Sequence, residues 1–448
     1  MSNRAVHCIV PGVEASSPLP TKKDEFVTSP QPTTGPTIRP VPYMGVIYVV
    51  AEAMKLGFTN GDPDWCNLGQ GQPEVGPMEG APPRITSVEL EPRDHAYGHI
   101  GGIDAMREAV AAHYNRLYRQ GQASQYGPQN VSVAAGGRLC LSRVFAILGS
   151  VRVGYQVPDY TAYQDMLDYH RYRIEPVALL TDEECGFVVT ADRLKEAVAS
   201  QELRAFLLSN PCNPTGQVVR GDELTRYLEV AREGDCTLIL DEFYSHFIYD
   251  ADGTPGMGPV SAAAHVEDVE RDPVVLIDGL TKSFRYPGWR VGWAVGPSHI
   301  VENINRAASA IDGGPGTAAQ RMALEALEPA QADQETTALR HVFTRKRNLM
   351  LERLREMGIR CDHEPGGTFY VWADVGDLPE PLNDADVFFR RGLQRKVMTV
   401  PGRFFDVNPG KERPEGDFRT WVRFSFGPPE ENVRLGLDRL EEMIRACP

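Results

Sequence analysis

The residues of this sequence that could do chemistry lie in four short polar segments, each within or at the end of an apolar stretch. The segments cover residues 210–216 (NPCNPTG), 241–244 (DEFY), 281–292 (TKSFRYPGWRVG) and 421–427 (WVRFSFG). Together they supply an amide, a carboxylate, a phenol, an amine and several guanidinium groups, a set that can hold a small charged ligand. Each segment alone has an ordinary structural explanation, since Asn-Pro pairs form turns and an acid after a strand can cap a helix.

The apolar stretches beside these segments are the elements that must position them. Strands are predicted at residues 131–135, 174–179, 205–208, 237–240, 274–277 and 291–295. Several are nearly continuous apolar runs, which is typical of strands buried on both faces. Helical patterns lie between some of them, and this alternation indicates an α/β fold with a mostly parallel sheet. Because ligands bind beyond the carboxyl ends of strands in such sheets, we expect the polar segments to meet there.

Most of the remaining sequence is predicted to be helical. Apolar residues on one face predict a helix over residues 102–119, a long helix is predicted from about 319 to 358, and a last helix begins at Pro428. A βαβ-like unit is predicted from residues 369–373, 385–394 and 397–400. Residues 1–42 are rich in Pro, Thr and Ser without periodicity, and they predict a flexible or extended arm.

Composition excludes several classes of protein. The 448 residues include 46 Lys and Arg against 61 Asp and Glu, a net charge of −15, which argues against a nucleic-acid scaffold. None of the eight cysteines forms a CxxC pair and no histidines cluster beside them, so we expect no metal site and no disulfide framework. No run of 18 apolar residues occurs and the N-terminal apolar stretch is too short for a signal peptide, so a cytoplasmic protein without a membrane span is predicted.

The four segments, in this order on an α/β scaffold, resemble those of the class I/II aminotransferases. These are pyridoxal-phosphate enzymes of the aspartate-aminotransferase fold type. The resemblance covers roughly residues 65 to 446 and rests on a lysine with an arginine eight residues later, together with NPxNPTG and DExY. It implies a large α/β domain with a mostly parallel sheet flanked by helices, plus a smaller α+β domain built from the chain ends.

The resemblance implies a role for each polar residue around the cofactor ring. Lys282 would form the Schiff base and carry the proton between the substrate α-carbon and the cofactor. Asp241 would keep the pyridine nitrogen protonated, which the quinonoid chemistry of this cofactor needs. Tyr244 and Asn213 would both donate to the phenolic oxygen, and Tyr160 would stack on the ring.

A second group of residues would bind the cofactor phosphate. Gly136, Gly137 and Arg138 open a predicted helix directly after a strand, which places backbone N–H groups and a helix N-terminus at the anion. Arg290 would be the main bidentate partner, with the Thr281 hydroxyl beside it. Many relatives carry a serine three residues before the lysine, where this chain has Gly279, so one hydroxyl contact is missing; either cofactor affinity is lower or Arg138 compensates for the loss.

The substrate and the subunit interface complete the set of implied residues. Gly71 matches the loop over the substrate, and Arg423 matches the arginine that binds the substrate α-carboxylate, with Asn213 close by. Tyr97 resembles the tyrosine that reaches the phosphate of the neighbouring subunit. The resemblance therefore implies a homodimer whose active sites are shared, and whose partners are small amino acids rather than nucleic acid or a membrane.

The leading interpretation is an aminotransferase that moves an amino group between an amino acid and a 2-oxo acid. The alternative is a lyase or synthase of the same fold, acting for example on S-adenosylmethionine in specialised metabolism, because fold and cofactor do not choose between these reactions. A transcription regulator with an aminotransferase-like domain would need a basic domain in front. Here only the Pro-rich arm precedes the globular part and the net charge is −15, so the sequence disfavours this class. The implied organisation is an arm (1–42), an N-terminal part of the small domain with the substrate loop (43–94), a large cofactor-binding domain (95–318) and a C-terminal small domain (319–448).

Overall fold

The fold is known from a computed structural model, which describes residue 41, residues 43–416 and residues 418–447. From Tyr43 onwards the chain forms one compact unit. The predicted arm lies outside the described residues, except for residue 41. The strands, in chain order, are β1 (Cys66–Asn67), β2 (Val131–Ala134), β3 (Val151–Val157), β4 (Ile174–Leu180), β5 (Leu203–Ser209), β6 (Thr237–Asp241), β7 (Val274–Gly279), β8 (Gly292–Val295), β9 (Tyr370–Asp374), β10 (Val397–Met398), β11 (Val400–Pro401) and β12 (Trp421–Ser425).

The main sheet has seven strands in the order β2-β8-β7-β6-β5-β3-β4. β8 alone runs opposite to the other six strands, so the prediction of a mostly parallel sheet is confirmed. The inner strands β6 and β7 are buried almost throughout, as their apolar runs predict. In the register of the sheet, Ser209 of β5 lies beside Asp241 of β6, and Asp241 lies beside Ile277 of β7. The segments that follow these three strands therefore start side by side.

Helices pack against this sheet, as expected for an α/β fold; α3, for example, contacts β2, β7 and β8. The helices are α1 (Gly45–Lys55), α2 (Asp104–Tyr118), α3 (Gly137–Ile147), α4 (Ala162–Tyr169), α5 (Ala191–Ser200), α6 (Asp222–Gly234), α7 (Ser298–Ile311), α8 (Thr317–Ala326), α9 (Pro329–Glu356), α10 (Ala385–Gln394) and α11 (Glu430–Arg445). The long helix predicted from about 319 to 358 is wrong, because the structure has α8 and α9 there. Pro329 has no N–H to continue a helix, and it occupies the first turn of α9 instead.

A second sheet carries the last polar segment. It has the order β11-β12-β9, with β12 antiparallel to both neighbours, while β1 and β10 form a separate parallel pair. The predicted βαβ-like unit is present in a split form: β9 and β11 are both antiparallel to β12, so they run parallel to each other on either side of it, and α10 lies between them in the chain. Residues 397–398 of its predicted second strand pair with β1 instead. The seven-stranded sheet lies between residues 131 and 295 and the three-stranded one between 370 and 425. The domain boundaries within residues 43–448 stay a prediction.

Candidate active site

Lys282 lies in the loop that follows β7, where its amine points at the loop around Gly71. The half-buried Nζ donates a hydrogen bond to the Gly71 carbonyl oxygen and lies 5.9 Å from the ring centroid of Tyr244. Burial, reinforced by the positive charges of Arg423 and Arg138, lowers the pKa of Lys282 to about 7. An amine with such a pKa is largely neutral at slightly alkaline pH, and a neutral amine is the nucleophile that attacks a carbonyl carbon.

Asp241 ends β6 as a buried acid. Its Oδ2 accepts a hydrogen bond of 2.8 Å from the Tyr163 hydroxyl, and its Oδ1 accepts one of 3.4 Å from the backbone N–H of Phe243. Burial outweighs these bonds and raises the pKa of Asp241 to about 6. A buried carboxylate in this state is stabilised by any cationic group placed beside it, which is what its predicted role toward a protonated ring nitrogen requires.

Tyr244 and Asn213 are both buried and both face the same region. The Tyr244 hydroxyl oxygen lies 2.8 Å from that of Tyr370. The side-chain oxygen of Asn213 accepts a hydrogen bond of 2.8 Å from Arg423, so its amide NH₂ is the group available to donate. The residues predicted to surround the phenolic oxygen of the cofactor are thus linked by hydrogen bonds to a second tyrosine and to the predicted substrate arginine.

Asp159 holds the loop of Asn213 in place through the side chain of Ser209. Its carboxylate accepts hydrogen bonds from the backbone N–H of Tyr160 at 2.6 Å and from the hydroxyl of Ser209. The Ser209 oxygen in turn accepts the backbone N–H of Asn213 at 3.1 Å. Burial raises the pKa of Asp159 to about 8. One acid therefore fixes both the loop of the predicted stacking ring and the loop of the predicted amide donor.

The glycine pair at the start of α3 makes room for an arginine and an aromatic ring. Gly136 has a φ of +94°, and a Cβ built on it would lie 2.3 Å from Nη2 of Arg290. A Cβ on Gly137 would lie 2.1 Å from Cε2 of Phe243. Only glycine lets the guanidinium approach the backbone this closely. A helix N-terminus with an arginine against it is a site for a doubly charged phosphate.

Arg138 and Tyr160 contact each other. Nε and Nη2 of Arg138 donate to the Tyr160 hydroxyl at 3.0 and 2.8 Å, and this contact raises the pKa of the guanidinium. The sequence predicts Arg138 as a phosphate ligand and Tyr160 as the stacking ring. The structure adds that Arg138 holds the hydroxyl of that ring, while its contact with phosphate stays a prediction.

Arg423 lies in the middle of β12 with its side chain buried. Nη1 donates to Asn213 at 2.8 Å and Nη2 donates to the carbonyl oxygen of Gly69 at 2.7 Å, while Nε has no hydrogen-bond partner among the described residues. None of the carboxylates among the described residues forms an ion pair with the Arg423 guanidinium. A buried cation without an acid is costly. Arg423 is therefore suited to a carboxylate that comes from a ligand.

Three predicted site residues have different surroundings. Gly71 accepts the hydrogen bond of Lys282, so the predicted substrate loop does lie at the amine. Thr281 precedes Lys282 and is half-buried. Tyr97 is fully exposed, so within its own chain it is not covered by the residues of this site. Its contact with the phosphate of a neighbouring subunit stays a prediction.

Arg285, which the sequence left without a role, ties the substrate loop to α9. Its Nε donates to Glu335 at 2.5 Å, and its Nη1 donates to the carbonyl oxygens of Glu74 and Gly76 at 3.1 and 2.8 Å. Lys346 of α9 donates to the Glu74 carboxylate at 2.8 Å. The loop that follows Gly71 is therefore held by two buried cations, one of them three residues from Lys282.

Sequence reasoning missed two tyrosines at this site. Tyr163 follows Tyr160 by three residues and their ring centroids lie 5.4 Å apart, so a second aromatic residue this close in sequence to the predicted stacking ring could have indicated it. Tyr370 carries no such signal, because a tyrosine in an apolar strand is expected to be a core residue. The structure also explains Gly279: a Cβ there would lie 2.5 Å from the carbonyl oxygen of Val291, so no serine fits at this position.

Comparison with known proteins identifies the family of the chain. The family model described as Aminotransferase class I and II matches residues 63–440. The aspartate aminotransferase of Sulfurisphaera tokodaii is 27% identical over 84% of this chain and 89% of its own length. The aspartate/prephenate aminotransferase of Thermus thermophilus is 29% identical over 78% of this chain and 83% of its own. The structure of the Thermus thermophilus aspartate aminotransferase with maleate superposes with a TM-score of 0.73 at 27% identity, covering 90% of this chain and 97% of that one.

The chain belongs to the class I and II aminotransferase family. It is a pyridoxal-phosphate-dependent transferase that moves an amino group between an amino acid and a 2-oxo acid. The relatives favour this transamination over the alternative of elimination or replacement. Its substrates are small molecules, and none of the helices of the described residues combines the length and apolar character needed to cross a bilayer.

The residues present fit pyridoxal phosphate. The cofactor has an aldehyde, a basic ring nitrogen and a phosphate, and the site offers an amine of lowered pKa, a buried carboxylate, and an arginine at a helix N-terminus. When bound, the cofactor supplies an electron sink for the bonds of the substrate α-carbon. The side chains supply nucleophile, counter-ion and orientation around it.

Proposed function

We propose that Lys282, Asp241, Tyr244, Asn213, Arg290 and Arg423 form one transamination site for α-amino acids. The observation that carries the proposal is Arg423, a buried guanidinium without an acidic partner among the described residues. Its planar fork matches a carboxylate bidentately, which a lysine does not. Its contact with Asn213 connects the carboxylate position to the predicted ring position, so a substrate bound there presents its amino group toward Lys282.

In this proposal each side chain has a defined task. Lys282 accepts a proton at Nζ from the substrate α-carbon and returns it, which its pKa of about 7 allows in both directions near neutral pH. Asp241 balances positive charge at the ring nitrogen, and its bond from Tyr163 fixes its orientation. Gly136, Gly137 and Arg290 bind the phosphate, and the rings of Tyr160 and Tyr370 exclude water beside the cations.

The test is a pair of arginine variants. Arg423→Ala or Arg423→Lys should lower kcat/KM for α-amino acids by about one and a half to four decades, because a desolvated charged pair is worth about 2–5 kcal/mol. Cofactor affinity should barely change in these variants. Arg290→Ala is the matched comparison, since it should lose cofactor first. Relatives are named for aspartate, prephenate and aromatic amino acids, so aspartate and phenylalanine are the first donors to assay. Full activity of Arg423→Ala on its best amino acid would refute the carboxylate role.

We also propose a homodimer with shared active sites that works in the cytoplasm. Tyr97 supports the dimer, because its side chain is fully exposed among the described residues and is therefore free to reach the site of a second chain. The cytoplasmic setting is supported by the cysteines, of which those in the described residues are free thiols.

A further inference from the structure

Tyr370 touches two residues to which the proposed function gives different tasks. It begins β9, pairs with Ser425 of β12 and is fully buried. Its hydroxyl oxygen lies 2.8 Å from that of Tyr244, and the guanidinium carbon of Arg423 lies 4.0 Å from the centroid of its ring. A Cβ on Gly71 would lie 3.6 Å from the same hydroxyl. Tyr370 therefore lies between the cofactor side and the substrate side of the site.

The direction of the bond between the two hydroxyl groups follows from the task of Tyr244. A phenol has one proton to donate and can accept other hydrogen bonds. If Tyr244 donates its proton to the phenolic oxygen of the cofactor, the bond with Tyr370 must run from Tyr370 to Tyr244. A hydroxyl that accepts a hydrogen bond becomes a stronger donor, because bonds in a chain polarise one another. The Tyr370 hydroxyl thus acts on the cofactor through Tyr244.

The ring of Tyr370 acts on the other side. Arg423 is held at two corners by Asn213 and Gly69, and the ring face of Tyr370 supports the plane of the guanidinium. A cation above an aromatic face is attracted to it, more strongly in a desolvated site. The plane of the fork decides whether both oxygens of a carboxylate are reached, so the ring sets the geometry of substrate binding.

We propose that Tyr370 is a positioning residue of the transamination site, whose hydroxyl strengthens Tyr244 as a donor and whose ring orients Arg423. The proposal rests on the proposed roles of those two residues. It makes separate predictions for the hydroxyl and for the ring, because Tyr370→Phe removes only the first and Tyr370→Leu removes both.

The hydroxyl is tested by a pH titration of the visible absorbance of the holoenzyme without substrate. Tyr244→Phe should move the midpoint of this absorbance titration to higher pH, since the donor that stabilises negative charge on the phenolic oxygen of the cofactor is lost. Tyr370→Phe should move it in the same direction by about 0.5–1 pH unit, less than Tyr244→Phe does. In the double variant the Tyr370→Phe change should add nothing, because it acts only through Tyr244.

The ring is tested by substrate kinetics. Tyr370→Phe keeps the ring under Arg423 and should change KM for the best amino acid less than twofold. Tyr370→Leu removes the ring and should raise KM by about tenfold. Tyr249→Phe is the matched control, because Tyr249 is equally buried, donates its hydroxyl to the Thr368 carbonyl at 2.6 Å and has Arg347 above its ring, yet forms no hydrogen bond or ring contact with the site residues. It should leave both the midpoint and KM unchanged.

The outcomes separate this inference from the function it rests on. A shift for Tyr244→Phe with none for Tyr370→Phe in a fully folded, cofactor-loaded protein would overturn the inference and leave the site intact. Additive shifts in the double variant would overturn it too, since Tyr370 would then act independently. No shift for Tyr244→Phe would remove the proposed role of Tyr244 and the inference with it. An effect of Tyr249→Phe as large as that of Tyr370→Phe would show a general packing effect and count against Tyr370.

Discussion

At the scale of single residues, burial outweighs the favourable charge partners and changes the chemistry of the functional groups. The pKa of Lys282 is lowered to about 7, while that of Asp241 is raised to about 6. Both shifts have the same first cause, loss of water, and both make the charged form costly in the cofactor-free chain. A bound cofactor with a cationic ring nitrogen and an anionic phosphate offers partners for these groups, so binding and ionisation are coupled.

The lowered pKa of Lys282 predicts how attachment of the cofactor depends on pH. In cofactor-free protein, the rate at which added pyridoxal phosphate attaches should rise from about pH 6 to 8 and then level off, because the neutral amine is fully formed above its pKa. Stopped-flow absorbance measures this rate, and Lys282→Ala should show no attachment by borohydride reduction and peptide mapping. A rate that climbs steadily to pH 10, or label on another lysine, would contradict the assignment.

The same shift has a consequence for stability whose sign is fixed. Lys282 has a pKa of about 7 when folded and 10.5 in the unfolded reference, so between these values the unfolded chain binds the extra proton. The contribution of this group to the free energy of unfolding therefore rises with pH across that window and is smallest below pH 7.

At the scale of elements, the contact between β7 and β8 decides which residue can stand three positions before the lysine. Gly279 pairs with Gly292 across the two strands, and both strands are buried. A side chain at 279 would meet the backbone of β8 at 2.5–2.6 Å rather than a flexible group. The expected loss of one phosphate contact at this position thus follows from strand packing.

Gly279→Ser should therefore not improve cofactor affinity. It should lower the free energy of unfolding by about 1–3 kcal/mol, as overpacking does, and should leave the cofactor dissociation constant unchanged or higher. Thermal melting and fluorescence titration with pyridoxal phosphate measure the two effects. Gly288→Ser in the same segment is the control, since nothing lies within 4 Å of a Cβ there. Tighter cofactor binding by the Gly279→Ser protein would speak against this packing explanation.

The link between the substrate loop and α9 gives a second prediction at this scale. Arg285→Lys keeps a charge near Glu335 but loses the donors to the Glu74 and Gly76 carbonyls, so the loop should loosen. We expect a loss of about 1–3 kcal/mol in the free energy of unfolding and a higher KM with a smaller effect on kcat.

The control for this variant is Arg306→Lys, at an exposed ion pair with Glu302, which should change stability by about 0–0.5 kcal/mol. Denaturant unfolding and steady-state kinetics give both readings. If Arg285→Lys behaved like Arg306→Lys in both assays, the loop would not depend on this buried arginine.

At the scale of the whole molecule, the exposed Tyr97 predicts a homodimer in which each of the two active sites contains residues from both chains. Light scattering should give twice the chain mass of 49.6 kDa. Hybrid dimers of Tyr97→Phe and Lys282→Ala chains test the sharing: if Tyr97 serves the partner's site, one site carries both changes and the other is intact, so about half of the wild-type activity should remain. Impaired activity in both sites, or a monomer at working concentration, would contradict it.

The sequence predicts the main sheet well and the second sheet poorly, for physical reasons. Apolar runs such as those of β6 and β7 are typical of strands buried on both faces of a parallel sheet. The polar segments that follow these strands could therefore be placed at one edge of that sheet. Strand β3 was not predicted because Arg152, Gly154 and Gln156 interrupt its apolar pattern. The pairing of β9 with β12 joins elements more than 45 residues apart, and no local pattern encodes it.

The site follows the same division. Lys282, Asp241 and Asn213 follow strands whose register is set by burial, and the structure brings them together as expected. Tyr370 depends on the partner strand that turns it toward Tyr244, and Arg285 depends on Glu335 in a helix 50 residues away. Contacts of this kind arise from tertiary packing, so they cannot be predicted from a single sequence.

The backbone of residues 69–71 already occupies the two cations that a substrate and a cofactor would use. Arg423 donates to the Gly69 carbonyl and Lys282 to the Gly71 carbonyl. A substrate carboxylate that takes the Arg423 donor exchanges one hydrogen bond for another, so the net enthalpy gained per bond is small, whereas at Lys282 a covalent bond to the cofactor would replace the hydrogen bond. Calorimetry should accordingly record modest heats of binding, with affinity governed by released water and by the freedom that the 69–71 segment regains. Selectivity among substrates would then reside in which carboxylates can displace the Gly69 carbonyl from Arg423.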